Sequence, residues 1–322
     1  MKKDYFIREL INNSEKKLFF EVSEKASGVF GSHKWLSLSN NNLKLFGIFT
    51  SENELIGGFY LLFKKKYFFT LIRKPLFTPY NGLFFSNPGN NSVTINNLNK
   101  KIYAMVAEFL LNLKGYSISF YMNPKHKDMQ EFIWKKFDVT PNFTYQIDLS
   151  KSIEELKSNI HHSKLRNIKS TNNKGVICKL SNNINEIKSM ISHNHSLQNK
   201  IKDLKFFDKI LDNFNTDKDS FSYISYLDEK AIAFAYCIHD ENTAYFIMGS
   251  HDKSHNGIYP GPLSMYNSIL HAKELGLHYF DFEGSMIPEV EQFYRSFGGE
   301  LIPYYAIKKE NILVKLLNIL TR

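Results

Sequence analysis

Two acidic residues near the end of the sequence stand in a pattern that can support chemistry. Asp281 and Glu283 alternate with Phe280 and Phe282, and alternating side chains of a β-strand point to the same face. The pattern predicts a strand with one aromatic face and one acidic face. Because burial of an unpaired carboxylate is costly, the acids must be paired, hydrogen-bonded or open to a wet cleft. A cleft is the functional arrangement; an ion pair, or a cap on the helix that Pro288 opens, is the structural one.

A group of positive charges lies between residues 161 and 174. Its apolar stripe shifts from Ile153 and Leu156 to Leu165 and Ile168, which predicts a break in the helix near Ser163. A helix that begins there would present its first N–H groups to an anion. The alternative is a solvated basic face. The cations are Lys164, Arg166, Lys169 and Lys174, beside His161 and His162.

Length and composition predict the elements that must position these residues. The chain has 322 residues, of which 43% are hydrophobic and 15% aromatic. This length exceeds what one core usually organises and favours two domains. Along the chain, the same order of elements is predicted twice: a helix, an antiparallel meander, a helix, a strand, a helix and a strand. We therefore predict an α+β fold with two tandem units, residues 1–147 and 148–322, each a mixed, mostly antiparallel sheet flanked by helices.

The net charge of +9 is concentrated in the first half of the chain. Residues 1–150 hold 20 Lys and Arg against 12 Asp and Glu, whereas residues 151–322 hold 21 against 20. This distribution favours an anionic partner on the first half, such as a phosphate, a nucleic acid or an acidic lipid surface. The alternative is a set of solubilising lysines.

Several short runs occur in an order that is typical of one family. In the second half these are residues 145–150, 166–169 with Gly175, the glycines Gly249 and Gly276, and residues 281–285 through 293–299. In the first half they are Ser32-x-x-Trp35 and residues 75–82. Together they resemble the FemAB-like branch of the GNAT acyltransferases, whose members carry two tandem GNAT units. The resemblance spans nearly the whole chain.

The resemblance implies transfer of an acyl or aminoacyl group to an amine, with the acceptor in a cleft between the units. The expected product is an amide on a cell-envelope precursor such as a sugar nucleotide, a lipid-linked glycan or a muropeptide. The donor would be a co-substrate, either acyl-CoA or, in an alternative function as a peptidoglycan-bridge ligase, aminoacyl-tRNA. An alternative of another class is a non-catalytic protein that binds an anionic glycan or lipid. No permanently bound cofactor and no metal site are expected.

Catalytic roles follow from what amide formation requires. A carboxylate, Asp281 or Glu283, can take the proton of the amine, and the oxyanion can be stabilised by Tyr294, Arg295 or amides beside Gly284. Many relatives have a Lys directly after the Phe that matches Phe293, whereas this chain has Tyr294 and then Arg295. The expected substrate-binding residues are Trp35, Tyr80, Asn81, Lys164, Arg166, Lys169, Tyr259 and Ser285.

Two further departures from relatives concern the donor. The Gly-rich pyrophosphate loop of common GNAT proteins is missing before the central helix, where residues 249–261 stand in its place. This departure argues against an acetyl-CoA site of the common kind. The helical-hairpin arm of tRNA-dependent relatives is also missing, because no charged heptad stretch occurs.

The sequence predicts a cytoplasmic protein. It shows no N-terminal leader and no run of about 18 apolar residues that could form a transmembrane segment. The amphipathic residues 311–320 predict either peripheral contact with a membrane that carries a lipid-linked acceptor, or packing on the second unit.

Overall fold

The chain forms two units whose boundaries differ from the predicted ones. The computed structural model describes residues 4–39, 42–66, 69–114, 117–193, 204–252, 254–284 and 286–311. The first unit holds Met1–Asn142 and Pro303–Arg322, and the second holds Phe143–Ile302. The predicted boundary at 147/148 lies near the first crossing, but the return of the chain to the first unit was not predicted. The last strand causes this return, because it completes the sheet of the first unit.

The first unit is a mixed sheet with helices. Its strands follow the order β1-β2-β3-β4-β6-β13, and β5 pairs with β3. The pair β4–β6 is parallel, and the other described pairs of this sheet are antiparallel. The strands are β1 (Tyr5–Glu9), β2 (Leu43–Thr50), β3 (Leu55–Lys66), β4 (Phe69–Arg73), β5 (Phe84–Phe85), β6 (Ser117–Tyr121) and the later part of β13 (Glu300–Glu310). The helices are α1 (Asn13–Ser27), α2 (His33–Leu36), α3 (Ser92–Asn112) and α4 (Gln130–Trp134).

The core of the first unit is built on the apolar face of α3. Ile102, Val106 and Leu110 recur at a spacing of four, which places them on one helix face, and they are buried in one cluster with Phe59 of β3. Elsewhere on β3, a Cβ atom added to Gly58 would lie 2.6 Å from the ring of Phe19 in α1. Glycine therefore allows α1 to approach the sheet closely.

The second unit repeats this architecture. Its strands follow the order β7-β12-β11-β10-β9-β8; β11 and β12 pair in parallel, and the other described pairs are antiparallel. The strands are β7 (Asp138–Asp148, of which residues 143–148 belong here), β8 (Ile177–Leu180), β9 (Ser220–Leu227), β10 (Lys230–His239), β11 (Thr243–His251) and β12 (Tyr279–Asp281). The helices are α5 (Ile153–Asn159), α6 (His162–Asn173), α7 (Ile184–His193), α8 (Leu204–Asn213), α9 (Pro260–Glu274) and α10 (Pro288–Arg295).

Helices cover the sheet of the second unit. Met265 and Ile269 of α9 are buried in one cluster with Phe280 of β12. Phe207 of α8 packs edge-on against Tyr236 of β10, with ring centroids 6.0 Å apart. In each unit the strands are mixed, mostly antiparallel and flanked by helices, which confirms the predicted fold class.

Candidate active site

The predicted acidic residue Asp281 is buried at the end of β12 and holds three hydrogen bonds. It is 5% exposed. The Thr144 hydroxyl donates to its Oδ1 at 2.6 Å, Gln146 Nε2 donates to its Oδ2 at 3.4 Å, and the Glu283 amide donates to its Oδ1 at 2.8 Å. Burial raises the pKa of Asp281, and the three hydrogen bonds oppose that rise. The sequence allowed either a hydrogen-bonded, structural carboxylate or one that faces a wet cleft. Asp281 has the hydrogen-bonded, structural arrangement.

Glu283 lies after the strand and not on it, so the predicted alternation does not extend as far as expected. β12 ends at Asp281, and the next residues turn, with φ of 65° at Glu283 and 134° at Gly284. A positive φ at a residue other than glycine is sparsely populated, and the bond from the Glu283 amide to Asp281 stabilises the turn. Glu283 is partly exposed. Of the two acids it is the one that can touch a substrate.

Two tyrosines lie close enough to Glu283 for its charge to act on them. Burial, followed by the charge of Glu283, raises the pKa of Tyr294. Burial also raises the pKa of Tyr245, with the charges of Asp240, Glu283 and Asp281 adding to the effect. The Tyr245 hydroxyl donates to Asp240 at 3.0 Å. Both phenols therefore stay protonated at neutral pH and can act as hydrogen-bond donors.

The ring of Tyr294 is held by aromatic neighbours beside the place where two strands diverge. It stacks on Phe282 with centroids 4.7 Å apart and meets Phe246 edge-on at 5.9 Å. β11 and β12 pair only as far as Tyr245 and Asp281, whereas β11 continues to His251. Within the described residues, no strand accompanies that side of β11 after Tyr245.

Arg295, the other predicted oxyanion donor, is engaged on the surface of α10. Its Nε donates to Glu291 Oε1 at 2.8 Å, and its side chain is 61% exposed. The Tyr145 hydroxyl donates to the same oxygen at 2.7 Å. These bonds raise the pKa of Arg295 and lower that of Glu291. Between the two predicted donors, Tyr294 is the one placed near Glu283.

The predicted basic segment contains the expected break. α5 ends at Asn159 and α6 begins at His162, and the His161 ring accepts a hydrogen bond from the Ser163 amide. Lys164 Nζ lies 4.6 Å from the centroid of the Phe293 ring, and burial lowers the Lys164 pKa. Arg166 and Lys169 are exposed on α6. Of the predicted cations, Lys164 is therefore the one in contact with α10.

The start of α9 differs from an anion-binding helix terminus. Pro260 and Pro262 have no N–H group, and the Tyr259 amide donates to Thr171 Oγ1 at 2.9 Å. Gly261, between the two prolines, does have an N–H group. A Cβ atom added to Gly261 would lie 3.4 Å from Nδ1 of His251, so the histidine ring lies beside it. Tyr259 is 43% exposed, and Ser285 lies outside the described residues.

In the first unit, two of the three predicted substrate contacts are buried. Trp35 is 1% exposed and donates from Nε1 to Thr78 at 2.9 Å. Asn81 is fully buried, donates to the Tyr60 carbonyl at 3.0 Å and accepts from the Tyr121 amide at 2.8 Å. These contacts hold the loop after β4 in place. Neither the Trp35 side chain nor the Asn81 side chain has exposed surface for a ligand. Tyr80 is partly exposed and packs against Tyr304, so its role as a substrate contact stays a prediction.

Sequence reasoning missed the hydrogen-bonding residues around the acidic turn. Thr144, Gln146 and Tyr245 are neighbours of Asp281 through the register of β7, β12 and β11. The alternation of Thr144 and Gln146 with Tyr145 and Ile147 was a signal for one face of a strand. The sequence does not show which strands are adjacent.

Three other expectations concern larger features. Residues 312–320 of the predicted membrane-contacting segment lie outside the described residues. Among the helices in the described part of the chain, none is long and apolar enough to cross a bilayer. In the same residues, no group of three or more His, Cys, Asp or Glu side chains is placed to hold a metal ion.

Comparisons with known proteins cover the region of the acidic turn. Residues 192–292 match the model of the acetyltransferase (GNAT) domain. The matched region contains β9 to β12, α9 and the turn at Glu283. Among curated proteins, none matches the sequence.

Solved structures share the fold over the whole chain. FemX is similar with a TM-score of 0.65 and 14% identity, and the match covers 100% of both chains. The tandem GNAT protein from the clavulanic acid biosynthesis pathway has a TM-score of 0.57 and 9% identity, over 95% of this chain and 98% of that one. The C-terminal domain of an Agrobacterium fabrum protein described as a lysylphosphatidylglycerol synthetase has a TM-score of 0.56 and 12% identity, over 96% of each chain. The GNAT domain match and the fold shared with FemX and a tandem GNAT protein confirm the predicted resemblance to the FemAB-like GNAT proteins.

Proposed function

We propose that the protein is an acyltransferase that moves an acyl or aminoacyl group onto an amino group of a cell-envelope precursor and forms an amide. The observation that carries the proposal is the match of residues 192–292 to a GNAT acetyltransferase domain, because that region contains the acidic turn and most of α10. A structural neighbour described as a lysylphosphatidylglycerol synthetase supports an acceptor in the envelope. The acceptor classes are a sugar nucleotide, a lipid-linked glycan and a muropeptide.

In this proposal Glu283 is the general base. The acceptor arrives as an ammonium ion, which is not a nucleophile, and Glu283 takes one proton from it. The neutral nitrogen then attacks the carbonyl carbon of the donor, and a negative charge develops on the carbonyl oxygen. When the C–N bond has formed, the bond from this carbon to the leaving sulfur or oxygen breaks. The nitrogen loses its second proton as the amide forms, and the leaving atom takes up that proton.

Tyr294 is the donor to the developing oxyanion. Its raised pKa keeps the hydroxyl protonated, and its ring is held against Phe282 and Phe246. A donor that is fixed before the reaction stabilises the transition state without reorganisation. Asp281 is a positioning residue in this scheme, because it binds the Glu283 amide and fixes the turn.

The start of α9 favours an aminoacyl donor over an acyl-CoA bound in the common way. A diphosphate held at a helix terminus needs several free N–H groups. Here Pro260 and Pro262 lack them, and Thr171 accepts the Tyr259 N–H. Aminoacyl-tRNA is therefore the donor that this helix start favours, and an acyl-CoA bound in another way is the alternative, with the same acceptor chemistry.

Incubation with each donor class tests the proposal. Purified protein is mixed with acyl-CoA or aminoacyl-tRNA and an extract of envelope precursors, and mass spectrometry is used to detect a new amide. We expect one donor to be consumed, with release of CoA or deacylated tRNA, and Glu283→Gln to slow the reaction about 100-fold or more. If neither donor is consumed while the protein binds a glycan or lipid, the protein is a binding protein and the proposal is wrong.

A further inference from the structure

The second unit contains a small open pocket next to the Asp281 site. Its volume is about 90 Å³. The pocket lies at the paired residues Tyr279 and Asp148 of β12 and β7, one same-face step before the pair Asp281 and Gln146. Such a step spans roughly 7 Å along a strand. Gln146 belongs to both places, because it lines the pocket and donates to Asp281.

The charged lining of the pocket is negative overall. Asp148 and Glu300 are two carboxylates, and Lys151 is the one cation among the lining residues. Hydrogen bonds from Ser150 lower the pKa of Asp148, so this group is ionised at neutral pH. The excess of negative charge attracts a cation.

The uncharged part of the lining also suits a cation. Phe297 lines the pocket, and aromatic side chains attract ammonium groups. Asn159, which also lines the pocket, is the last residue of α5, where helix carbonyls carry partial negative charge. The backbone offers little to an anion, because the amides of Phe297 and Gly298 donate to carbonyls within the chain.

We infer that this pocket binds an alkylammonium group of the acceptor and anchors the acceptor while a second amine reacts at Glu283. The inference rests on the proposed function for the reacting amine. Tyr279, which lines the pocket, lies four residues before Glu283, so at most about 14 Å of extended chain separate them. The acceptor would therefore carry two amino groups joined by a chain of that length or less. The anchored ammonium would contact Asp148, Glu300 and the ring of Phe297.

Binding of small probes tests the inference without any donor. Butylammonium and butyrate have similar size and opposite charge, and each is titrated into the full chain at low ionic strength. Binding is followed by NMR through the side-chain amide of Gln146. We expect butylammonium, and not butyrate, to shift this signal. Because transfer is not measured, an inactive enzyme does not affect the outcome.

A matched pair of variants assigns the binding to the pocket. Glu300→Gln removes one negative charge and is expected to weaken butylammonium binding several-fold. Lys151→Gln removes the positive charge and is expected to leave binding unchanged or to strengthen it. The opposite response, tighter binding of butyrate than of butylammonium, or no binding of either probe overturns the inference. If butylammonium binds but no amide is ever formed, the pocket stands and the proposed function fails.

Discussion

The hydroxyl of Thr144 donates to Asp281 Oδ1 at 2.6 Å across 137 residues of sequence. Both residues are buried, at 1% and 5% exposure, and the bond joins β7 to the end of β12. A hydrogen bond to a carboxylate is stronger than one between neutral groups. Because Asp281 also accepts from the Glu283 amide, this contact supports the turn that presents the proposed base.

Replacement of Thr144 tests this support. Thr144→Val keeps the shape but removes the donor, and it should lower the free energy of unfolding by about 1–3 kcal/mol. It should also raise the pKa of Asp281 further, because the Thr144 hydroxyl lowers it. Urea denaturation and NMR titration of the Asp281 carboxyl measure the two effects. Thr144→Ser keeps the hydroxyl and is the control, so it should change neither the free energy of unfolding nor the pKa of Asp281. If both variants changed these quantities equally, the hydrogen bond would not be the cause.

Asp281 should make stability depend on pH in a specific direction. Its pKa is raised above 3.8 in the folded protein, so the folded state keeps this proton at a pH where the unfolded state has lost it. The contribution to the free energy of unfolding is therefore complete below pH 3.8 and decreases as the pH rises through the folded pKa. Asp281→Asn removes this contribution. Relative to the wild type, the variant should gain stability between pH 4 and pH 7 in urea denaturation, and a constant difference would contradict the prediction.

Tyr294 and Arg295 should differ in their effect on catalysis. Tyr294→Phe keeps the stack on Phe282 but removes the proposed oxyanion donor, and it should reduce kcat by about 100-fold. Arg295→Ala breaks an exposed pair with Glu291 and should leave kcat within a few-fold of the wild type. Both should keep the Tm of the wild type. A larger loss for Arg295→Ala would reverse the two assignments.

His126 should make the first unit sensitive to mild acid. Its ring contacts the Tyr103 hydroxyl and the Leu83 carbonyl, each at 2.8 Å, and burial lowers its pKa below 6.5. As the pH falls, His126 is therefore protonated in the unfolded chain at a higher pH than in the folded protein. The stabilising contribution is complete above pH 6.5 and is lost as the pH falls through the folded pKa. Urea denaturation from pH 8 to pH 5 should show this loss, and His126→Gln should flatten the curve.

The local sequence predicted the elements, but not all of their ends. The break between α5 and α6 follows from the shift of the apolar stripe, which is a local signal. The sequence predicts a helix that begins at Asn97 as its N-cap, whereas α3 begins at Ser92 after the cap formed by Asn91 and Thr94. This capping pair differs from the usual Ser or Thr with Glu.

The candidate site was predictable in composition and not in geometry. The alternation around Asp281 selected Asp281 and Glu283 as candidates, whereas the turn at Glu283 depends on contacts of Asp281 with Thr144 and Gln146 in a distant strand. Trp35 and Asn81 were predicted as substrate contacts because they lie in runs that resemble the family, and such a resemblance does not reveal burial. Both are enclosed in the first unit.

Because the later part of β13 belongs to the first unit, it affects the order in which the two units can fold during synthesis. Ser117 on β6 meets Glu310 on β13, 193 residues later. During synthesis, residues 143–302 have all left the ribosome before this closing strand is available. The unit that starts first must therefore finish last, and until then β6 carries an unsatisfied edge that a chaperone or another nascent chain can recognise.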